Sequence, residues 1–274
     1  MVSARLSFSG SSFSFATHTT SAAMISGWPM SSAALVVWVA KDKDDPEKTN
    51  RALCMFFAYL ATLWFGCSNA AQEIVKEIAI YRRERLVGVG AHSYLASKYL
   101  FLVAVTAAQA LVLYLTMLIG SGGRDGAALL QCAALFGTAI AAVGIGLTIS
   151  ALSRSVMQAV MFVPLILIPQ ILFSGYTVAP GDMTKSVLAI SRLMPTFSAQ
   201  TVMDTSFLWQ REAKGDILSD HHQAFVNLDP EHEIATGDVY DRGRPAVLAL
   251  LAHALWGVVT YFVAWFALKK RERV

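Results

Sequence analysis

Charged side chains concentrate in one segment of this sequence, residues 72–98, which reads QEIVKEIAIYRRERLVGVGAHSYLASK. Runs without Asp, Glu, Lys or Arg lie on both sides of it, at residues 52–72 and 99–123. Residues 73–86 contain good helix formers and no Gly or Pro, so we expect a helix there. On that helix Glu73 and Lys76 are spaced to pair, and Glu77 and Glu84 fall roughly on one face. Such side chains suit ion pairing with a partner outside the chain. The alternative is an ordinary basic loop at a membrane face.

Other residues that could do chemistry give weaker signals. The sequence contains no G-x-x-x-x-G-K-[ST] pattern, so the chain is not expected to bind the phosphates of ATP by itself. In a polar stretch near residue 230, three histidines and two glutamates could be read as a metal site, but their spacing matches no zinc motif, and we expect no metal there. These residues are His221, His222, Glu231, His232 and Glu233.

The composition is that of an integral membrane protein. Hydrophobic residues make up 55% of the 274 and charged residues only 15%, against about 25% in soluble domains. A span needs about 20 apolar residues, and the sequence predicts an all-α fold with six transmembrane helices. The predicted spans are residues 21–40, 52–72, 99–120, 127–150, 157–176 and 245–268, within a domain covering 21–274 that follows an unassigned tail at 1–20.

The distribution of Lys and Arg predicts the orientation of these spans. The sequence KKRER follows the last span directly, and the charged segment 73–90 follows the second. Because basic residues concentrate on the cytoplasmic side, we expect both termini and segment 73–90 to be cytoplasmic. Residues 177–244 then form a large outer loop. Its first half, 183–210, is mostly apolar around Pro195 and predicts two short re-entrant helices.

Two features predict how the spans pack and bend. Small side chains recur every fourth residue along span four, which allows another helix to approach closely. This stripe indicates either a dimer or gating interface, or packing within one bundle. It consists of Ala134, Thr138, Ala142, Gly146 and Ser150. In span five, Pro164 and Pro169 are expected to kink the helix or break its hydrogen-bond ladder.

Three motifs resemble the membrane domain of ABC-2 type transporters, and most of all the ABCG (white/pleiotropic drug resistance) group and its bacterial relatives. They are EIVKEIAIYRRERLVG with the following SYLASK, then PLILIPQILFSGYTV at 164–178, then LMPTFSAQTVMD at 193–204. The matches run in order over roughly residues 50–274. The resemblance implies that segment 73–90 holds a coupling helix that contacts an ATPase. The implied coupling residues are Glu73, Lys76, Glu77, Arg82, Arg83, Glu84 and Arg85.

The resemblance also implies a function. Spans two and five of a dimer would line the translocation path, with the candidate residues Phe65, Asn69, Gln158, Phe162, Ile166 and Phe173. The chain would be the permease of an ATP-driven exporter in the cell (inner) membrane. Its partners would be an ATPase subunit or fused domain and a second membrane domain, identical or different, with no nucleic acid. ATP and Mg would bind the ATPase, and this chain would need no cofactor.

The uncharged spans favour a lipid-like, amphipathic or polymeric cargo over a small ion. They also lack the intramembrane charges that ion-coupled carriers use, so the energy for transport would enter from outside the membrane domain. The alternative from a different class is a membrane anchor that does not transport, or a membrane-embedded enzyme.

Overall fold

A computed structural model describes residues 51–120, 127–178, 183–214 and 243–271. Every regular element in these residues is helical, which agrees with the predicted all-α class. The helices, in chain order, are α1 (Arg51–Ala70), α2 (Glu73–Leu86), α3 (Ala91–Gly120), α4 (Ala128–Leu152), α5 (Val156–Leu172), α6 (Lys185–Ser191), α7 (Pro195–Lys214) and α8 (Gly243–Arg271).

Four stretches of the described residues are long and apolar enough to cross a membrane: Leu53–Leu86, Ala91–Gly120, Ala128–Leu152 and Ala246–Arg271. The first joins α1 to α2 through a two-residue turn. Helix α5 is apolar but has only 17 residues, a length of about 25 Å, which is short of a hydrocarbon core of about 30 Å. The tail 1–20 and the predicted span 21–40 lie outside the described residues, and so does the His-containing part of the outer loop.

The helix bounds differ from the predicted spans in two places. Helix α3 begins at Ala91, eight residues before the predicted start at 99, because the polar AHSYLASK stretch continues the same helix. Helix α5 ends at Leu172, before the predicted end at 176, and it runs without a break through Pro164 and Pro169. Each proline removes one backbone hydrogen bond, but Val163 and Leu167 are buried beside them, so packing supports the helix there.

Helix α4 lies at the centre of the bundle, packed against α1, α3, α7 and α8. The small-residue stripe allows the close approach of α1. A Cβ atom added at Gly146 would lie 2.7 Å from the carbonyl oxygen of Cys67 and 2.6 Å from the Cβ of Ala70, both on α1. One added at Gly66 would lie 2.5 Å from the Cβ of Ala142. The stripe therefore packs against helices of the same chain.

Helices α6 and α7 occupy the segment around Pro195 in which two short re-entrant helices were predicted; α6 has 7 residues and α7 has 20. Pro195 is the first residue of α7, where its missing N–H and fixed φ suit a helix start. The buried face of α7, with Ala199, Val202 and Met203, joins the same apolar cluster as the first half of α1. The backbone N–H of Ala127 donates to the carbonyl of Ser206 at 2.9 Å, which ties α7 to the start of α4.

Candidate coupling site at one end of the bundle

Helix α2 is attached to α4 through a hydroxyl that caps its first turn. The Oγ of Ser150, the last residue of the small-residue stripe, accepts hydrogen bonds from the backbone N–H groups of Ile74 and Val75, both at 3.0 Å. The first N–H groups of a helix have no partner within the helix, and these two are buried. Since Gln72 at the N-cap makes no side-chain cap, Ser150 supplies the cap from another helix.

Helix α2 is attached to α3 by two ion pairs. The Nζ of Lys98 on α3 lies 3.2 Å from a carboxylate oxygen of Glu73 and 2.7 Å from one of Glu77. The hydroxyl of Tyr94 also donates to Glu77 at 3.3 Å. The sequence predicted that Glu73 pairs with Lys76, but the structure pairs it with Lys98. Tertiary folding decides this, because Lys98, two turns into α3, lies close to both carboxylates.

The attachment to α3 and α4 fixes which residues of α2 point away from the bundle. Lys76, Ile80 and Arg83, spaced four and three residues apart, are exposed along one side of the helix. Ile80 is 45% exposed. This outward face, Lys76–Ile80–Arg83, presents an apolar centre between two basic side chains, an arrangement suited to contact with another protein.

The remaining coupling candidates lie near the end of α2. The Nη1 of Arg85 donates to the carbonyl of Val89 at 3.2 Å, which stabilises the turn after the helix. In that turn Gly88 has a φ of 95°, in the region that favours glycine. Glu84 is half-buried on the side of α2 that carries Glu73 and Glu77. Arg82 lies on a different side, next in sequence to Tyr81, which packs in one apolar cluster with Leu268 near the end of α8.

The candidate path residues fall on α1 and on α5 with the turn after it, as the sequence placed them. Two of them have identifiable contacts. The Nδ2 of Asn69 donates to the Oε1 of Gln109 on α3 at 3.0 Å. The Oε1 of Gln158 accepts from the backbone N–H of Arg154 at 2.9 Å, in the turn between α4 and α5. Phe65 and Ile166 pack partly into the apolar core, Phe173 is part-buried, and Phe162 is exposed.

A polar network at the other end of the bundle was not expected from the sequence. The hydroxyl of Tyr59 donates to the Oε1 of Gln200 at 2.9 Å, and the Nε2 of Gln200 donates to Asp204 at 2.7 Å. Burial raises the pKa of Asp204 from 3.8 to about 7, although the hydrogen bond from Gln200 lowers it. One feature of the sequence could have indicated this network: Asp204 is the one charged residue in residues 193–210.

Comparisons with known proteins agree with this architecture. The sequence matches the ABC-2 type transporter family over residues 9–208, which is more than half of the chain. It is also 26% identical over 139 residues to an ABC transporter ATP-binding/permease protein of Mycobacterium tuberculosis. That match covers 48% of this chain and 16% of the relative's length.

The chain belongs to the ABC-2 type transporter family. It is a multi-pass membrane protein and the permease component of such a transporter. A permease of this family implies a partner ATPase.

Proposed function

We propose that this permease exports a lipid-like, amphipathic or polymeric substrate, with α2 as the element that receives force from the ATPase. One observation carries the proposal: α2 is attached to two membrane helices, α3 and α4, while its outward face is exposed. A push on that face would pass through Lys98 to α3 and through Ser150 to α4. The spans would then change from inward-open to outward-open as ATP, bound with Mg on the ATPase, drives closure.

The proposed orientation places α2 in the cytoplasm with both termini. Lys269, Lys270 and Arg271 end α8, and Leu268 on the same turn packs in one apolar cluster with Tyr81 of α2. Basic groups from α2 and α8 thus gather at one end of the bundle, and such groups favour the cytoplasmic side. The turn around Arg154, next to Arg271, would be cytoplasmic as well.

The proposed assembly is a dimer of membrane domains, identical or different, in which α1 and α5 line the path. Helix α5 supports this assignment because much of its surface is apolar and uncovered in a single chain. Met157, Met161, Leu165 and Ile168 are all exposed. An uncharged path of this kind suits an apolar or amphipathic cargo better than an ion.

The test reverses charge on the outward face. Lys76→Glu with Arg83→Glu should leave membrane insertion and expression near the wild-type level, because both side chains are exposed. Loss of interface charge complementarity should weaken ATPase co-purification about tenfold or more, a change of about 1.4 kcal/mol.

The matched control is Lys185→Glu with Arg192→Glu. It makes the same change in charge on exposed residues of α6 and the turn after it, beyond the far end of α5. Equal ATPase association and equal substrate-stimulated hydrolysis for both double variants would remove α2 as the coupling element and point to the turn around Arg154.

A further inference from the structure

Three arginines from distant parts of the sequence meet at the α2 end of the bundle. The guanidinium of Arg271, on the last turn of α8, donates to the carbonyl of Ser153 just after α4. Buried side chains near these arginines in the sequence, Tyr81 of α2, Ala151 of α4 and Leu268 of α8, pack in one apolar cluster, which brings the three helix ends together. Arg82 of α2 and Arg154 of the α4–α5 turn are within electrostatic range of Arg271. We call Arg82, Arg154 and Arg271 the arginine cluster.

The arrangement places positive charges near one another, and their repulsion costs electrostatic free energy. Part of that cost is offset at Arg271, because the carbonyl groups at the C-terminus of α4 carry partial negative charge. Arg82 and Arg154 are exposed, and their mutual repulsion with Arg271 remains. An anion between them would remove this repulsion. A phosphate group suits the cluster well, because each guanidinium can donate two hydrogen bonds to its oxygens.

The surroundings of the cluster identify the source of such a phosphate. Two of the long apolar stretches end here, at Leu152 and Arg271. Beside the arginines lie large apolar side chains that are exposed: Leu152 is 62% exposed, and Leu86, one turn after Arg82 on α2, is 90% exposed. Basic groups next to exposed apolar surface at a membrane boundary suit a phospholipid, since its phosphate can bind the basic groups and its acyl chains can contact the apolar surface. A soluble phosphate would make no use of the apolar part.

We propose that the arginine cluster binds the phosphate of an anionic phospholipid and thereby holds the ends of α2, α4 and α8 together. This site is distinct from the outward face of α2, because Arg82 lies on a different side of the helix from Lys76 and Arg83. The lipid would stabilise the docked position of α2 on which coupling depends.

The experiment measures lipid selectivity of the purified full chain. Wild-type protein in mixed phosphatidylglycerol and phosphatidylcholine should retain phosphatidylglycerol preferentially in native mass spectrometry, and phosphatidylglycerol should raise its Tm. Arg82→Gln with Arg154→Gln should reduce the preference about tenfold and abolish the rise in Tm. This pair keeps the contact between Arg271 and Ser153, so the chain should still fold. Lys185→Gln with Arg192→Gln removes the same charge elsewhere and should keep the preference.

Three results would overturn the proposal. One is an unchanged phosphatidylglycerol preference in the Arg82/Arg154 variant. Another is an equal rise in Tm from inorganic phosphate in neutral detergent, lost in the same variant, which would identify a soluble anion as the ligand. The third is loss of ATPase co-purification with lipid preference intact, which would assign the cluster to a protein contact.

Discussion

Lys98 and Glu77 are 21 residues apart in the sequence, yet the Nζ of one lies 2.7 Å from a carboxylate oxygen of the other. This ion pair, which Glu73 shares, fixes α2 against the first turns of α3. A helix at a membrane boundary that is held by a partly buried charge network moves together with the span that carries the network. Under the proposed function, this ion pair would carry motion of α2 to α3.

Lys98→Met should detach α2 from α3. The substitution keeps the length of the side chain but leaves Glu73 and Glu77 without their cation in a partly buried position. We expect a loss of about 1–2 kcal/mol in the free energy of unfolding, between the values typical of exposed and of buried pairs. Thermal unfolding in detergent measures this. Lys98→Arg should recover most of the loss.

Lys76→Met is the matched control for Lys98→Met. It removes the same charge from the exposed face of α2, where we expect a change within about 0.5 kcal/mol. If Lys98→Met were no more destabilising than Lys76→Met, the ion pairs with Glu73 and Glu77 would not hold the helix.

Ser150→Ala should leave two buried N–H groups at the start of α2 without an acceptor. An unsatisfied buried group costs about 1–3 kcal/mol, so we expect lower thermal stability and faster hydrogen exchange at Ile74 and Val75. The control is Thr116→Ala, which removes a hydroxyl bonded within its own helix, to the carbonyl of Val112. Unchanged exchange at Ile74 and Val75 would show that water replaces Ser150.

Gly146→Ala should force α4 and α1 apart. The new Cβ would lie 2.7 Å from the carbonyl oxygen of Cys67, a backbone atom that cannot rotate away. Overpacking of this kind costs about 1–3 kcal/mol, and the Tm should fall accordingly. Gly90→Ala is the control, since its nearest neighbour would be the Oγ of Ser93 at 3.9 Å. Equal Tm values for the two variants would contradict the close α1–α4 packing.

The elements near the membrane boundary were predictable because their signals are local. The helix over residues 73–86 followed from composition, and the small-residue stripe followed from spacing. What the stripe packs against was not predictable, since Ala142 and Gly146 meet α1 only in the folded bundle. Spacing also suggested Lys76 as the partner of Glu73. The actual partner, Lys98, could not be predicted, because a contact between two helices leaves no trace in local periodicity.

Long-range polar contacts were missed for the same reason. Tyr59 and Gln200 are 141 residues apart, and nothing near either one indicates their hydrogen bond. Asp204 stood out by its charge among apolar neighbours, but its burial could be known only from the packing of α7. Continuity of α5 through Pro164 and Pro169 likewise depends on the residues packed around it.

Asp204 predicts a pH dependence of stability with a definite sign. Its pKa is raised from 3.8 to about 7 in the fold, chiefly by burial. Between these two values the folded chain keeps a proton that the unfolded chain has released. The free energy of unfolding should therefore fall as the pH rises from about 4 to about 7, and the contribution of Asp204 should be constant above that. Protonated Asp204 still accepts the hydrogen bond from Gln200 at 2.7 Å.

Asp204→Asn tests this prediction because the amide is neutral at every pH and its oxygen can still accept from Gln200. The variant should match the wild type near pH 4 and should be more stable at pH 8, where the wild type carries a buried carboxylate. Denaturation curves at several pH values, with the wild-type values subtracted from those of the variant, isolate Asp204 from other titrating groups. The difference should grow between pH 4 and 7 and then level off. Parallel curves for the two proteins would mean that the carboxylate is solvated and that its pKa is ordinary.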